Sequence, residues 1–204
     1  MFRHSDLFEH LEGNLLEIPE PAPVMNSSTT TQRTLPFVLV GDEAFPLKPY
    51  LMRPFPGRGS HILPHKEQIY NYRLSRARRL IENSFGILVA RWRIFNRPIE
   101  ANIDNCEKYI KAAFVLHNYL RSNDTREETR SKYMPHNFVD RDDLNGIVTP
   151  GSWRGTVANN CVSNVGRLSS NNAPRTAMEI RDSFADYFVS PTGTLSWQNN
   201  VINS

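Results

Sequence analysis

Apolar residues fall in short periodic blocks along this chain, separated by polar and proline-rich stretches. Over residues 5–18, Leu7, Leu11, Leu15 and Ile18 recur every three or four positions. That spacing predicts a short amphipathic helix with Ser5 as its cap and Pro19, Pro21 and Pro23 beyond its end. VMNSSTTTQRT follows as a polar linker, and its Asn26-Ser27-Ser28 sequon has no signal peptide to give it meaning. PFVLVG at 36–41 is a continuous apolar run, which predicts a buried strand with Asp42 at or just past its C-terminal end. Residues 46–65 carry five prolines and two glycines and predict a loop.

The main helix is expected over 66–90. Tyr70, Leu74, Ala77, Ile81, Ser84 and Leu88 make its core-facing stripe, and Asn71, Ser75, Arg78 and Glu82 an adjacent polar one. Gly86 weakens this helix near its end, and RWRIF at 91–95 fits either a continuation or an extended segment. A second helix is expected over 102–121. Asp104 and Glu107 resemble a capping box, and Ile103, Cys106, Ile110, Ala113, Phe114, His117 and Leu120 form the buried stripe. Residues 122–174 are rich in Asn, Ser, Asp and Gly and read as flexible or disordered. Helical spacing returns over 175–188 through Met178, Ile180, Phe184 and Phe188.

Composition narrows the class. The chain has 204 residues, of which 39% are hydrophobic, so part of it is not core-forming. Two cysteines exclude a disulfide scaffold and a cysteine-only zinc site. No run approaches the ~20 apolar residues of a membrane span, and the start lacks a signal pattern. These features point to a soluble intracellular protein.

The net charge of +3 hides a contrast. Of the 24 basic residues, 19 are Arg, and residues 66–97 carry eight basic side chains against Glu67 and Glu82. Such a segment is either a phosphate-binding surface or a solvated helix face, because guanidinium groups pair phosphate oxygens bidentately. Arg76, Arg78, Arg79, Arg91 and Arg93 are the candidate nucleic-acid contacts. Trp92, between two arginines, suits either base stacking or anchoring in a core. His61 and His65 read as solvated loop histidines, and His117 as a satisfied core histidine.

FVLVGDEAFPLKPYLMRPFPG, NYRLSRARRLIENSFGILVARWRIF and AAFVLHNYL, in that order, resemble the DDE transposase domain of the PIF/Harbinger class and the host nucleases derived from it. FRHSDLFEHLEGNLLEIPEP near the start and IRDSFADYFVSPTGTLSWQ near the end extend the resemblance over nearly the whole chain. It implies an incomplete RNase H-like α/β fold, helix-rich, with one clear core strand at about 36–41. It implies a partial nuclease domain over 1–121, a flexible region over 122–174, and a C-terminal helix and tail over 175–204.

By the same resemblance, Asp42 matches the family's second catalytic Asp and Glu82 its catalytic Glu, both of them ligands to Mg²⁺ or Mn²⁺. The first catalytic Asp and its strands would precede Met1, which leaves two carboxylates where the family has three. The implied function is a transposase-derived, divalent-metal-dependent endonuclease acting on DNA phosphodiesters, impaired by that loss. The alternatives are a non-catalytic DNA- or protein-binding module and a truncated transposon relic. DNA and a separate Myb-like DNA-binding protein are the implied partners, with no membrane. The nucleus is the implied compartment, with the cytoplasm as second.

Overall fold

A computed structural model describes residues 2–24, 33–57, 62–124, 132–135, 137–143, 145–156 and 173–202. The sequon, most of the polar linker, His61 and Cys161 lie outside the described residues. The chain is helix-rich α/β. Its helices are α1 (Asp6–Glu12), α2 (His65–Arg91), α3 (Ile103–Asn123), α4 (Arg175–Phe188) and α5 (Gln198–Ile202). Its strands are β1 (Ala22–Val24), β2 (Arg33–Leu35), β3 (Leu39–Val40), β4 (Leu51–Met52), β5 (Arg141–Asp142) and β6 (Val148–Thr149). Among the described residues the strands form three separate two-stranded sheets: β1–β2 and β5–β6 antiparallel, β3–β4 parallel. No described helix is long and apolar enough to cross a membrane.

The chain divides into two compact units, residues 1–78 with 165–204, and residues 79–164. In the first unit Ser5 caps α1 as expected, its hydroxyl accepting the Phe8 N–H at 3.2 Å. The helix stops at Glu12, well before the prolines. Asn14 takes a left-handed φ of 52°, the Leu15 N–H reaches the His10 carbonyl at 2.8 Å, and the Asn14 N–H reaches Leu11. That reversed turn closes the helix by its own chemistry. Glu12 then accepts from Lys48 at 2.9 Å and from the Tyr50 hydroxyl at 2.5 Å.

The expected core strand is corrected. β3 spans two residues, and both Leu39 and Val40 are exposed. Burial falls instead on its partner β4, whose Leu51 and Met52 are buried, inside a segment expected to be loop. Prolines on both sides keep β4 short. The core joins Leu47, Met52, Phe55, Tyr70, Leu74, Ala177 and Ala185. Tyr70 stands edge-on to Phe55 at 5.1 Å and near Phe188 at 6.0 Å. Asn71 fixes the Phe55 backbone from both sides, accepting its N–H at 2.8 Å and donating to its carbonyl at 3.0 Å.

α4 keeps its expected bounds, but the residues it buries are Ala177, Arg181 and Ala185. The small alanines allow close approach, and the Arg181 guanidinium lies over the Phe55 ring at 3.9 Å. Met178 is exposed. The chain end is tied by Gln198, which is buried. Its amide donates to Phe188 O at 2.9 Å and Thr194 Oγ1 at 2.8 Å, and its oxygen accepts from Leu195 N and Arg73, each at 3.2 Å.

The second unit contains residues 79–91 of α2 and all of α3. α3 is capped by Asn102, whose side chain accepts the Asn105 N–H at 2.9 Å, and not by the Asp104/Glu107 pair. The expected buried stripe of α3 is corrected too. Only Ala113 is buried, Cys106 and His117 are half-buried, and Ile103, Ile110, Phe114 and Leu120 are exposed. On α2, Ile87 and Leu88 are buried while Ile81 and Phe85 are exposed. RWRIF resolves into the last residue of α2 followed by a short 3-10 turn at Arg93–Asn96.

The described residues of 122–174 are not without regular structure. They carry the β5–β6 hairpin and a 3-10 turn at Ser152–Gly155. This segment locks onto α2 through Asn83, which accepts Asp140 N–H at 3.2 Å and Trp153 Nε1–H at 3.0 Å. A Cβ at Gly86 would stand 2.4 Å from the Trp153 ring, so the glycine that weakens the helix is the one that admits the indole.

Candidate nuclease site

Asp42 sits two residues past β3, at the C-terminal end of a parallel strand pair, where α/β sheets commonly place functional groups. Gly41 N–H donates to Met52 O at 2.8 Å and continues the pairing up to it. The Asp42 carboxylate is half-exposed and accepts the Ala44 N–H at 2.9 Å, while its carbonyl accepts the Phe45 N–H. This is an Asp-stabilised turn. Phe45 fastens the turn by standing edge-on to Phe2 at 5.3 Å, and Arg53 donates to its carbonyl at 3.1 Å. Glu43, next along, is exposed.

Glu82 sits half-buried on α2, one residue before Asn83. Its surroundings come from the segment that reads in sequence as loop. Asp140 has a side chain with no exposed surface, and it accepts from Gly151 N–H at 2.7 Å and from Arg154 Nε at 2.9 Å. A second Arg154 nitrogen donates to the other carboxylate oxygen. Burial pushes the Asp140 carboxyl up, but the Arg154 and Gly151 hydrogen bonds outweigh it and hold it below the usual aspartate value. Arg154 is held protonated, first by its hydrogen bonds to Asp140 and also by the negative charge of Glu82. None of Asn83, Asp140 and Arg154 stands out in sequence, because Asn83 meets its partners from 57 and 70 residues away and Asp140 meets Arg154 across an irregular segment without periodicity.

The candidate arginines are spread over both units. In the first, Arg76 lies over the Trp197 ring at 4.2 Å, and Arg78 is half-buried. In the second, Arg79 pairs with Asp142, Arg91 stacks over Phe138 at 4.6 Å and Tyr133 at 5.6 Å, and Arg93 is exposed. Much of the positive charge that sequence concentrates in 66–97 is thus engaged within the fold. Lys66 continues the pattern, bonded to Asp186 at 2.9 Å.

Carboxylate oxygens are the donors a hard cation such as Mg²⁺ takes, so Asp42 and Glu82 suit such an ion in kind. Asp42 belongs to the first unit and Glu82 to the second. Among the described residues no three His, Cys, Asp or Glu side chains gather into a group that could hold a metal. The described residues therefore do not form the donor set that a two-ion site needs.

No curated protein and no solved structure matches the chain. Residues 1–118, which carry both Asp42 and Glu82, match the family described as DDE superfamily endonuclease, and the chain belongs to that family.

Proposed function

We propose that this chain is a transposase-derived nuclease of the PIF/Harbinger type whose substrate is DNA. The observation that carries the reading is the family match, which spans the positions of Asp42 and Glu82. Endonucleases of this superfamily generally use divalent metals. The reading assigns Asp42 and Glu82 as the inherited ligands of Mg²⁺ or Mn²⁺ in an RNase H-like domain. Carboxylates are the donors such an ion takes, with waters and substrate phosphate completing its octahedron. Nuclear localisation and a Myb-like DNA-binding partner belong to the same proposal and rest on the resemblance.

The test is nicking of supercoiled DNA by the purified chain in Mg²⁺ and in Mn²⁺. The expected result is metal-dependent nicking that is abolished by chelation, by Asp42→Asn and by Glu82→Gln, and no nicking with either ion counts against catalysis by this chain. Nicking that persists in chelator or in both variants overturns the assignment.

A second reading, a non-catalytic DNA-binding module, is favoured by the Arg-rich α2 and the exposed Arg93. It predicts salt-dependent DNA binding in chelator. No binding at low salt counts against it.

A further inference from the structure

Three pieces of the second unit meet at one phenol. The Tyr133 oxygen accepts Trp92 Nε1–H at 3.1 Å, from the residue that follows α2. The same oxygen lies 2.7 Å from Nδ1 of His117 on α3. An indole can only donate, so the phenol oxygen accepts there and keeps its own proton to give to His117 when the imidazole is the Nε2–H tautomer. In that tautomer Nδ1 carries the lone pair and the imidazole is neutral, the state that an added proton would change. The two rings meet edgewise at 5.5 Å, and Arg91 lies over the Tyr133 ring. The flanking backbone is secured as well. Lys132 N–H and Met134 N–H donate to the Asp124 carboxylate at 3.3 and 3.2 Å.

The charged groups around this ring are mostly positive. Arg121 faces His117 from one turn further along α3. Arg91 of α2 lies beyond the Tyr133 ring, and Lys132 adjoins Tyr133 in the chain. The nearby carboxylate is Asp124, already used by two backbone donors. A proton added at Nδ1 would turn the acceptor of the phenol hydrogen into a donor. Two donors would then converge on the Tyr133 oxygen, and a cation would be added between arginines.

We propose that the His117–Tyr133 pair is an acid-released latch: protonation of His117 frees Tyr133 and detaches residues 132–134 from α3 and from the end of α2. The direction agrees with the environment, since burial first and Arg121 second hold the imidazole below its ordinary value of 6.5. This device is independent of the nuclease reading.

The experiment uses the full chain. Histidine proton resonances are titrated by NMR, with His117→Gln identifying the resonance. Hydrogen exchange of the peptide covering 132–135 is followed from pH 7.5 to 5, corrected for intrinsic rate. The expected His117 midpoint lies below the ordinary histidine value of 6.5. Between the ordinary value and that midpoint, opening grows about tenfold per pH unit, as one linked proton requires. The Gln variant, which can accept from the phenol but does not titrate, shows opening independent of pH. A His117 midpoint equal to or above 6.5 overturns the proposal, and the wild-type titration decides this without any variant. Acid opening that persists in His117→Gln, or is absent in the wild type, overturns it as well.

Discussion

The fully buried carboxylate of Asp140 and the guanidinium of Arg154 meet in a two-point pair that also draws in the backbone N–H of Gly151. Removing one member leaves the other without its counter-charge, and Asp140 has no surface through which water could replace it. Arg154 is about half exposed, so the cost falls below that of a fully buried pair. Asp140→Asn is expected to lower the urea unfolding free energy by about 2–3 kcal/mol at neutral pH. The carboxyl binds its proton less readily in the folded than in the unfolded chain. Its contribution is therefore complete above the ordinary aspartate value of 3.8 and is lost as pH falls further through the folded-state value. The variant should show a correspondingly flatter acid limb in its stability profile.

Gly86→Ala reverses the usual expectation for a helix. Propensity alone would make alanine more stable by about 1 kcal/mol. Here the added methyl would stand 2.4 Å from the Trp153 ring and must expel it. The expected outcome is a net loss of about 1–3 kcal/mol, as for overpacking, with a red shift in Trp153 emission. That emission would be read in a background where Trp92 and Trp197 are replaced by Phe. An increase in stability would show that the indole does not occupy this place.

Gln198 is a buried polar residue whose amide donates two hydrogen bonds and whose oxygen accepts two. Gln198→Ala should cost about 2–3 kcal/mol, because Phe188 O, Leu195 N–H and Arg73 lose a partner together. Hydrogen exchange should rise first in residues 190–202. Gln198→Glu should fail differently, since it keeps the acceptor for Arg73 but cannot donate to Phe188 O.

The arginines divide by their surroundings. Arg79 pairs with Asp142, so Arg79→Ala should act mainly on the stability of the second unit. Arg93 is exposed, so if the chain binds DNA, Arg93→Ala should leave stability within about 0.5 kcal/mol. It should reduce the slope of log affinity against log salt by about one. Equal effects of the two variants on binding and on stability would contradict this division.

Local chemistry made much of the chain legible in advance. Ser5 caps α1, α2 and α4 lie where periodicity puts them, and Asp42 follows a strand. Each of these depends on residues within a few positions of one another. The two departures from expectation have different causes, one local and one tertiary. Gly13-Asn14 ended α1 ahead of the prolines, a turn signal that was present in the sequence but outranked by the apolar spacing. The apolar run at 36–41 became a two-residue exposed strand, because burial went to its partner β4.

Helical positions 66–91 were set by the sequence itself, through spacing and side-chain type. Which of the α2 arginines face a carboxylate or an aromatic ring was decided only in three dimensions. Asp142, Phe138 and Trp197 reach them from segments whose order along the chain carries no record of the approach. The family positions of Asp42 and Glu82 are likewise written in linear motifs. The Asp140–Arg154 pair beside Glu82's helix is a product of tertiary contact, because charge and hydrogen-bond complementarity act through space and leave no periodicity behind.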